Sequence, residues 1–259
     1  MALLSGRFGL LARQLEEHGH SRIFHICKVS SNNIEYKDLK ERTLQESNIK
    51  TKYRVNDVVR YDTRLKDNAD QDRQTKKQLE QFVKQSERLH LELVCELHES
   101  DVSWIKLFAT WKNLQCVETF KLTTNSFELL KTFVALRPLK EFVVQFCYGT
   151  SDREIKFYID LLQQEQFSTL TMGYNWDLWD EIMARASSNK ETFRGKSVVW
   201  KIERAMHDES FTKLGRIGPN MIQFGKENLV VDCHSETATD ETTDEEFMGQ
   251  LSHSVLRFL

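Results

Sequence analysis

Apolar residues recur at the same three offsets in three successive stretches of this 259-residue chain, and each time an Asn or Cys follows three places later. The stretches carry Val117, Phe120, Leu122 and Asn125; Leu139, Phe142, Val144 and Cys147; and Phe167, Leu170, Met172 and Asn175. They start at 117, 139 and 167, so the spacing is 22 and then 28 residues. Residues at the fourth and sixth places alternate, as a strand with one buried face requires. An Asn at the ninth place can turn its amide into the bend beyond the strand and bond backbone groups left unpaired there. Cys147 can fill that place as a small buried group with a weak S–H donor. Repetition at this length points to stacked units with an open surface, not to a reaction pocket.

The segments between these strands have helical periodicity. Residues 126–136 carry Phe127, Leu130, Phe133 and Val134, and residues 152–164 carry Ile155, Tyr158, Ile159 and Leu162. Asn125 with Glu128, and Ser151 with Glu154, each fit a capping box, in which two orphan backbone N–H groups are satisfied reciprocally. A third, weaker helix is predicted over 178–186, with Trp179, Ile182 and Met183 on one side. Strand and helix alternate, which implies parallel strands joined by right-handed crossovers. The offsets and the spacing are those of a leucine-rich repeat. Degraded units extend the pattern upstream over 89–111 and downstream over 197–203, where Trp200 and Ile202 take the strand places and Ala205 stands where the Asn would be. A last strand is predicted over 229–233. The competing reading is a compact α/β domain with parallel strands in which the shared offsets are coincidence. The expected fold class is therefore α/β: a short leucine-rich-repeat-like solenoid with parallel strands, helices on the outer side, and a small α/β N-terminal extension.

The flanks differ in character. Residues 1–60 read as an N-terminal α/β segment, with a short amphipathic helix over 8–17 and strands over 23–29 and 53–60. Residues 61–88 are dense in charge and read as a mobile loop over 61–74 followed by a surface helix over 75–86. Residues 89–259 form the repeat region, closed by a terminal helix in which Phe247, Leu251 and Val255 or Leu256 make the apolar stripe. An open array end needs such a cover. The stretch 232–246 holds seven acidic residues and no Lys or Arg, which reads either as a solvated loop before that helix or as a lure for a basic partner.

Composition narrows the function classes. A net charge of −3 argues against bulk binding to nucleic acid or an anionic membrane. No stretch approaches about 20 uninterrupted apolar residues, so no spanning helix is expected. The weakly apolar start, broken by Gly6, Arg7 and Gly9, does not read as a signal peptide. Five cysteines (Cys27, Cys95, Cys116, Cys147, Cys233) stand far apart in an odd total, which reads as reduced thiols in a cytoplasmic or nuclear protein.

Catalytic signatures are missing from the sequence. His18, His20 and His25 with Cys27 do not supply a compact four-ligand metal set, and satisfied or surface histidines are the plainer reading. Gly6-Arg7-Phe8-Gly9 lacks the spacing and preceding strand of a phosphate cradle. Asp177, Asp180 and Glu181 are helix-start acids before they are an acid/base pair. No metal, cofactor or nucleophile is expected, and no enzyme activity.

From residue 89 onward the chain resembles the nematode F-box-associated proteins with degenerate leucine-rich-like repeats. The likeness rests on the strand–helix units, on Phe167-Ser168-Thr169-Leu170, on the stretch from Asn189 to Lys196 leading into a strand, and on Glu227-Asn228-Leu229-Val230-Val231. The resemblance implies a repeat region that holds a protein to be ubiquitinated, and an F-box that binds the adaptor subunit of a cullin-type ubiquitin ligase. The chain departs from that pattern at its start. An F-box usually opens with a Leu-Pro pair, and no proline precedes Pro138.

Residues and resemblance together give the expectation of a non-catalytic protein–protein interaction module. Its contact surface would be the strand residues between the buried ones: Thr119, Lys121 and Thr123; Glu141, Val143 and Gln145; Thr169 and Thr171; Val199, Lys201 and Glu203. The expected partner is a protein, with the F-box adaptor as one candidate and neither nucleic acid nor membrane. The alternatives are an enzyme with an unrecognised pocket around Trp176, Asp177 and Trp179 at a strand's C-terminal end, and a scaffold with no ligase link.

Overall fold

Leu89, Leu91 and Leu93 fall on one side of a strand, and Arg88, His90 and Glu92 fall on the other. Strand after strand repeats that division between an aliphatic and a polar side. A computed structural model of the chain describes residues 25–30, 33–37, 42–44, 54–62, 69–94, 96–146, 151–173, 175–201 and 210–259. The predicted helix over 8–17, His18 and His20 lie outside these residues, as do Cys95, Cys147 and Glu203.

The described strands are β1 (His25–Ser30), β2 (Asn33–Lys37), β3 (Thr43–Leu44), β4 (Arg54–Tyr61), β5 (Ser86–Leu93), β6 (Leu114–Lys121) and β7 (Glu141–Phe146). They continue with β8 (Thr169–Gly173), β9 (Ser197–Lys201), β10 (Thr212–Arg216), β11 (Met221–Lys226), β12 (Leu229–His234) and β13 (His253–Phe258). The helices are α1 (Ala69–Val83), α2 (Val102–Ala109), α3 (Thr124–Leu136), α4 (Asp152–Leu162), α5 (Trp176–Ser188), α6 (Lys190–Phe193) and α7 (Asp244–Gly249).

All thirteen strands form one sheet in the order β10-β11-β12-β13-β9-β8-β7-β6-β5-β4-β1-β2-β3. From β4 to β9 the strands are parallel and lie side by side in chain order. Each of those steps carries helix in its connection, as a parallel pair demands. β1 extends the parallel set beyond β4, and β2 and β3 finish that edge antiparallel. The other edge is antiparallel throughout, from β9 to β13, β12, β11 and β10. The sheet is mostly parallel and open. No helix among the described residues is long and apolar enough to cross a membrane.

The parallel register builds two continuous buried rows. One runs Cys27, Val59, Leu91, Val117, Phe142, Leu170, Val198. The other places Val29, Tyr61, Leu93, Thr119 and Val144 in line, with Met172 and Trp200 completing it. Helix residues Leu79, Phe108, Leu130, Phe133, Ile159, Leu178 and Ile182 pack with these rows in one hydrophobic core. Each fully buried side chain of this size contributes about 1.5–3 kcal/mol by leaving water. A smaller cluster of Ile222, Cys233, Phe247, Met248 and Leu251 lies under α7. Burial pushes the Cys233 thiol up to about 12, with help from the nearby Asp232 charge.

The strands predicted to start at 117, 139 and 167 are adjacent and parallel, but the first unit is in a different register. Val117, not Phe120, stands opposite Phe142, and Phe120 is 48% exposed. Leu114 takes the place that Leu139 and Phe167 hold in the next two units, so the matching starts are 114, 139 and 167. Thr119 then occupies a core place usually held by an aliphatic residue, and that substitution hid the register.

Helix starts also moved. α3 begins at Thr124, so Thr123 caps it by accepting from Ser126 N, and Asn125 falls inside the first turn. The predicted box at Ser151 with Glu154 forms, and α7 opens on another, Thr243 with Glu246. α1 starts at Ala69 and ends at Val83, earlier at both ends than the predicted 75–86, because Ser86 already begins β5.

The terminal helix stops at Gly249, and Val255 and Leu256 lie on β13 between β9 and β12. Alternation of Ser254, Leu256 and Phe258 with Val255 and Arg257 decides this, since it buries one side of a strand. The β10–β11 hairpin had no clear sequence signal. Its Arg216 anchors part of the acidic stretch: the guanidinium donates to the Pro219, Thr239 and Thr242 carbonyls and lies over the Phe247 ring.

Candidate functional site

Helix packing covers one side of the parallel sheet, and the other side carries the half-exposed residues of each strand. Val143, Thr171, Val199 and Val255 line up across β7, β8, β9 and β13 as a β-branched stripe on this open face. The same row continues through Glu118, Glu92 and Arg60 toward one edge and through Asp232 and Gln223 toward the other. A β-branched stripe is thus flanked by two polar groups.

Glu141, Val143, Gln145, Thr169, Thr171, Val199 and Lys201 all lie on this face, as their parity in the sequence predicted. Thr119 does not. It is 2% exposed and turned toward the helices, because the true register of β6 reverses its side. Lys121 shares that parity but is exposed where β6 ends, and Thr123 is a helix cap.

The polar group at the β4–β7 end is tightly connected. Arg60 Nε lies 2.5 Å from Glu92 Oε2, and His90 Nε2 lies 3.2 Å from Glu118 Oε2. Gln145 Nε2 donates to Glu118 Oε1 at 2.5 Å. Glu92 and Glu118 are directly opposite on neighbouring strands, a like-charge pairing that is destabilising unless compensated. The adjacent His90 imidazole holds the Glu118 carboxyl below its ordinary range against the opposing effect of burial, and the Gln145 hydrogen bond adds to it. On the same face, opposite His90, burial raises the Cys116 thiol well above its ordinary range, and the Glu141, Glu118 and Glu92 charges push the same way. A thiol so placed stays protonated and is no nucleophile. A cavity of about 400 Å³ opens over the group, with Glu35, Arg60, Asp62, Glu92, Glu118 and Phe120 in its wall.

At the far end Arg257 grips Asp232, Nε to Oδ2 at 2.7 Å, and Gln223 donates to Asp232 Oδ1 at 2.7 Å. Next to them the His234 and His253 rings stack in parallel with centroids 4.5 Å apart. Burial lowers the His234 pKa, and His253 reinforces the shift. A second cavity of about 400 Å³ lies on the helical side, between α3 and α4, with Lys131, Arg153 and Lys156 around Phe127 and Phe157.

The alternative centre at 176–179 is built as a helix start. Asn175 Oδ1 accepts from Leu178 N at 2.8 Å, Trp176 is 60% exposed, and the Trp179 ring packs 6.3 Å from Trp200 and 6.0 Å from Phe211. Sequence reasoning missed the His90, Glu92 and Glu118 group because its members sit on two strands and form no compact motif. Their shared open-face parity is the one signal that could have found it. Comparison of the chain with protein-family models, with curated proteins and with solved structures found no match in any of the three.

Proposed function

We propose that the chain is a non-catalytic protein-binding module, built as a short leucine-rich-repeat-like solenoid, that holds a partner on the open face of its parallel sheet. The observation that carries the reading is one-sidedness: helices pack with one side of β4 to β9, and the opposite side offers the Val143–Thr171–Val199–Val255 stripe between two ion-paired groups. Strands in chain order with a helix in each connection support the solenoid part. A β-branched strip with a polar rim suits a folded protein surface, whereas a phosphate backbone would ask for several Lys or Arg in line.

Affinity purification with the wild type and a Val143→Asp, Val199→Asp double variant tests the proposal. Both side chains are half-exposed, so the variant should keep its circular dichroism spectrum while losing the wild type's specific partners. An unchanged partner set would overturn the reading. The resemblance to F-box-associated proteins extends it to substrate recognition for a cullin-type ubiquitin ligase. Recovery of the F-box adaptor in the same purification tests that part separately.

A further inference from the structure

We infer that His90, Glu92 and Glu118 form a binding site for a divalent cation of the zinc class on the open face. Each offers one ligand atom, and the three atoms lie within 4.8 Å of one another. His90 and Glu92 are two residues apart on β5 and share a side, while Glu118 is opposite Glu92 on β6. Ligands held by two adjacent strands need no loop to order them. One imidazole with two carboxylates is a donor set for zinc and related transition metals, and the imidazole disfavours calcium and magnesium.

Three further observations agree with this assignment. The His90 Nε2 atom is buried 3.2 Å from Glu118 Oε2 and makes no hydrogen bond among the described residues, which leaves it available as a ligand atom. Both carboxylates have a further partner, Glu92 in Arg60 and Glu118 in Gln145, as outer hydrogen bonds orient metal ligands. The cavity of about 400 Å³ opens onto Glu92 and Glu118, leaving room for water or a partner's group as a further ligand. A dication between them would also turn their like-charge opposition into attraction.

Titration of the full chain with zinc chloride by calorimetry, with cobalt(II) absorption beside it, tests the inference. The wild type should take up one equivalent of zinc, and cobalt should show d–d bands without a thiolate charge-transfer band. His90→Ala, Glu92→Gln and Glu118→Gln should each weaken binding at least about tenfold, and Gln145→Ala about tenfold or less. The two Glu→Gln changes keep shape, and circular dichroism of the metal-free variants separates lost ligation from lost folding. No zinc uptake by the wild type, uptake unchanged in the folded variants, or cobalt bound through thiolate would overturn it.

Discussion

Val117 stands directly opposite Phe142 between β6 and β7, and both side chains are fully buried. Phe142 also meets the Phe157 ring edge-on, with centroids 5.8 Å apart, so it ties the sheet to α4. Phe142→Ala should therefore cost about 3–5 kcal/mol. Phe120→Ala, only three residues past Val117, should stay within about 1 kcal/mol because that ring is half-exposed. Urea unfolding midpoints of the two variants check this, and equal losses would contradict the register.

Thr119 is a hydroxyl in an apolar row, between Leu93 and Val144. Its Oγ1 donates to the Lys121 carbonyl at a long 3.4 Å, which recovers little of the cost of burial. Thr119→Val should raise stability by about 1 kcal/mol. A loss of that size in the urea midpoint would show that the hydroxyl has a stronger role.

Lys196 is buried, and its ammonium donates to the carbonyls of Leu162 at 2.5 Å and Gln164 at 2.6 Å, closing the C-terminal end of α4. Helix ends leave such carbonyls without partners, and a cation there also suits the helix dipole. Lys196→Met should cost about 1–3 kcal/mol by stranding both acceptors. Faster amide exchange confined to the last turn of α4 would locate the loss there.

Burial, and then the stacked His253 and the Arg257 charge, oppose protonation of His234 in the fold, while Asp232 favours it. The His234 pKa is therefore lower folded than unfolded. The stability it contributes is present above the ordinary value of 6.5 and is lost as pH falls below that value. Replacing it with Gln should reduce the loss of stability between about pH 7.5 and about pH 5.5, measured by denaturant midpoints. A larger acid loss in His234→Gln would contradict the sign.

Much of the parallel region is legible in the sequence, because the period-two runs at Leu89, Phe142 and Leu170 each have one aliphatic side and one polar side. The boxes at Ser151 and Thr243 are legible for a local reason, since both partners lie three residues apart. Register was not local. One hydroxyl at Thr119 and one surface ring at Phe120 inverted a strand whose true side is set by its neighbours. β13 was hidden for a similar reason: Leu251, Val255 and Leu256 fit a helical stripe until pairing with β9 and β12 claims the last two. Most of the open-face residues were readable from parity, but the His90, Glu92 and Glu118 group was not, because pairing of two strands creates it.

Photo-crosslinking from the open face tests the central claim most directly. A crosslinking residue is placed at Thr171 or Val199 on the open side, and at Lys131 or Lys156 on the helical side, and adducts formed in cell extract are identified by mass spectrometry. The open-face positions should capture one common partner, and the Val143→Asp change should abolish that capture while the helical positions give none of it. Capture of that partner chiefly from Lys131 and Lys156, insensitive to Val143→Asp, would contradict the account.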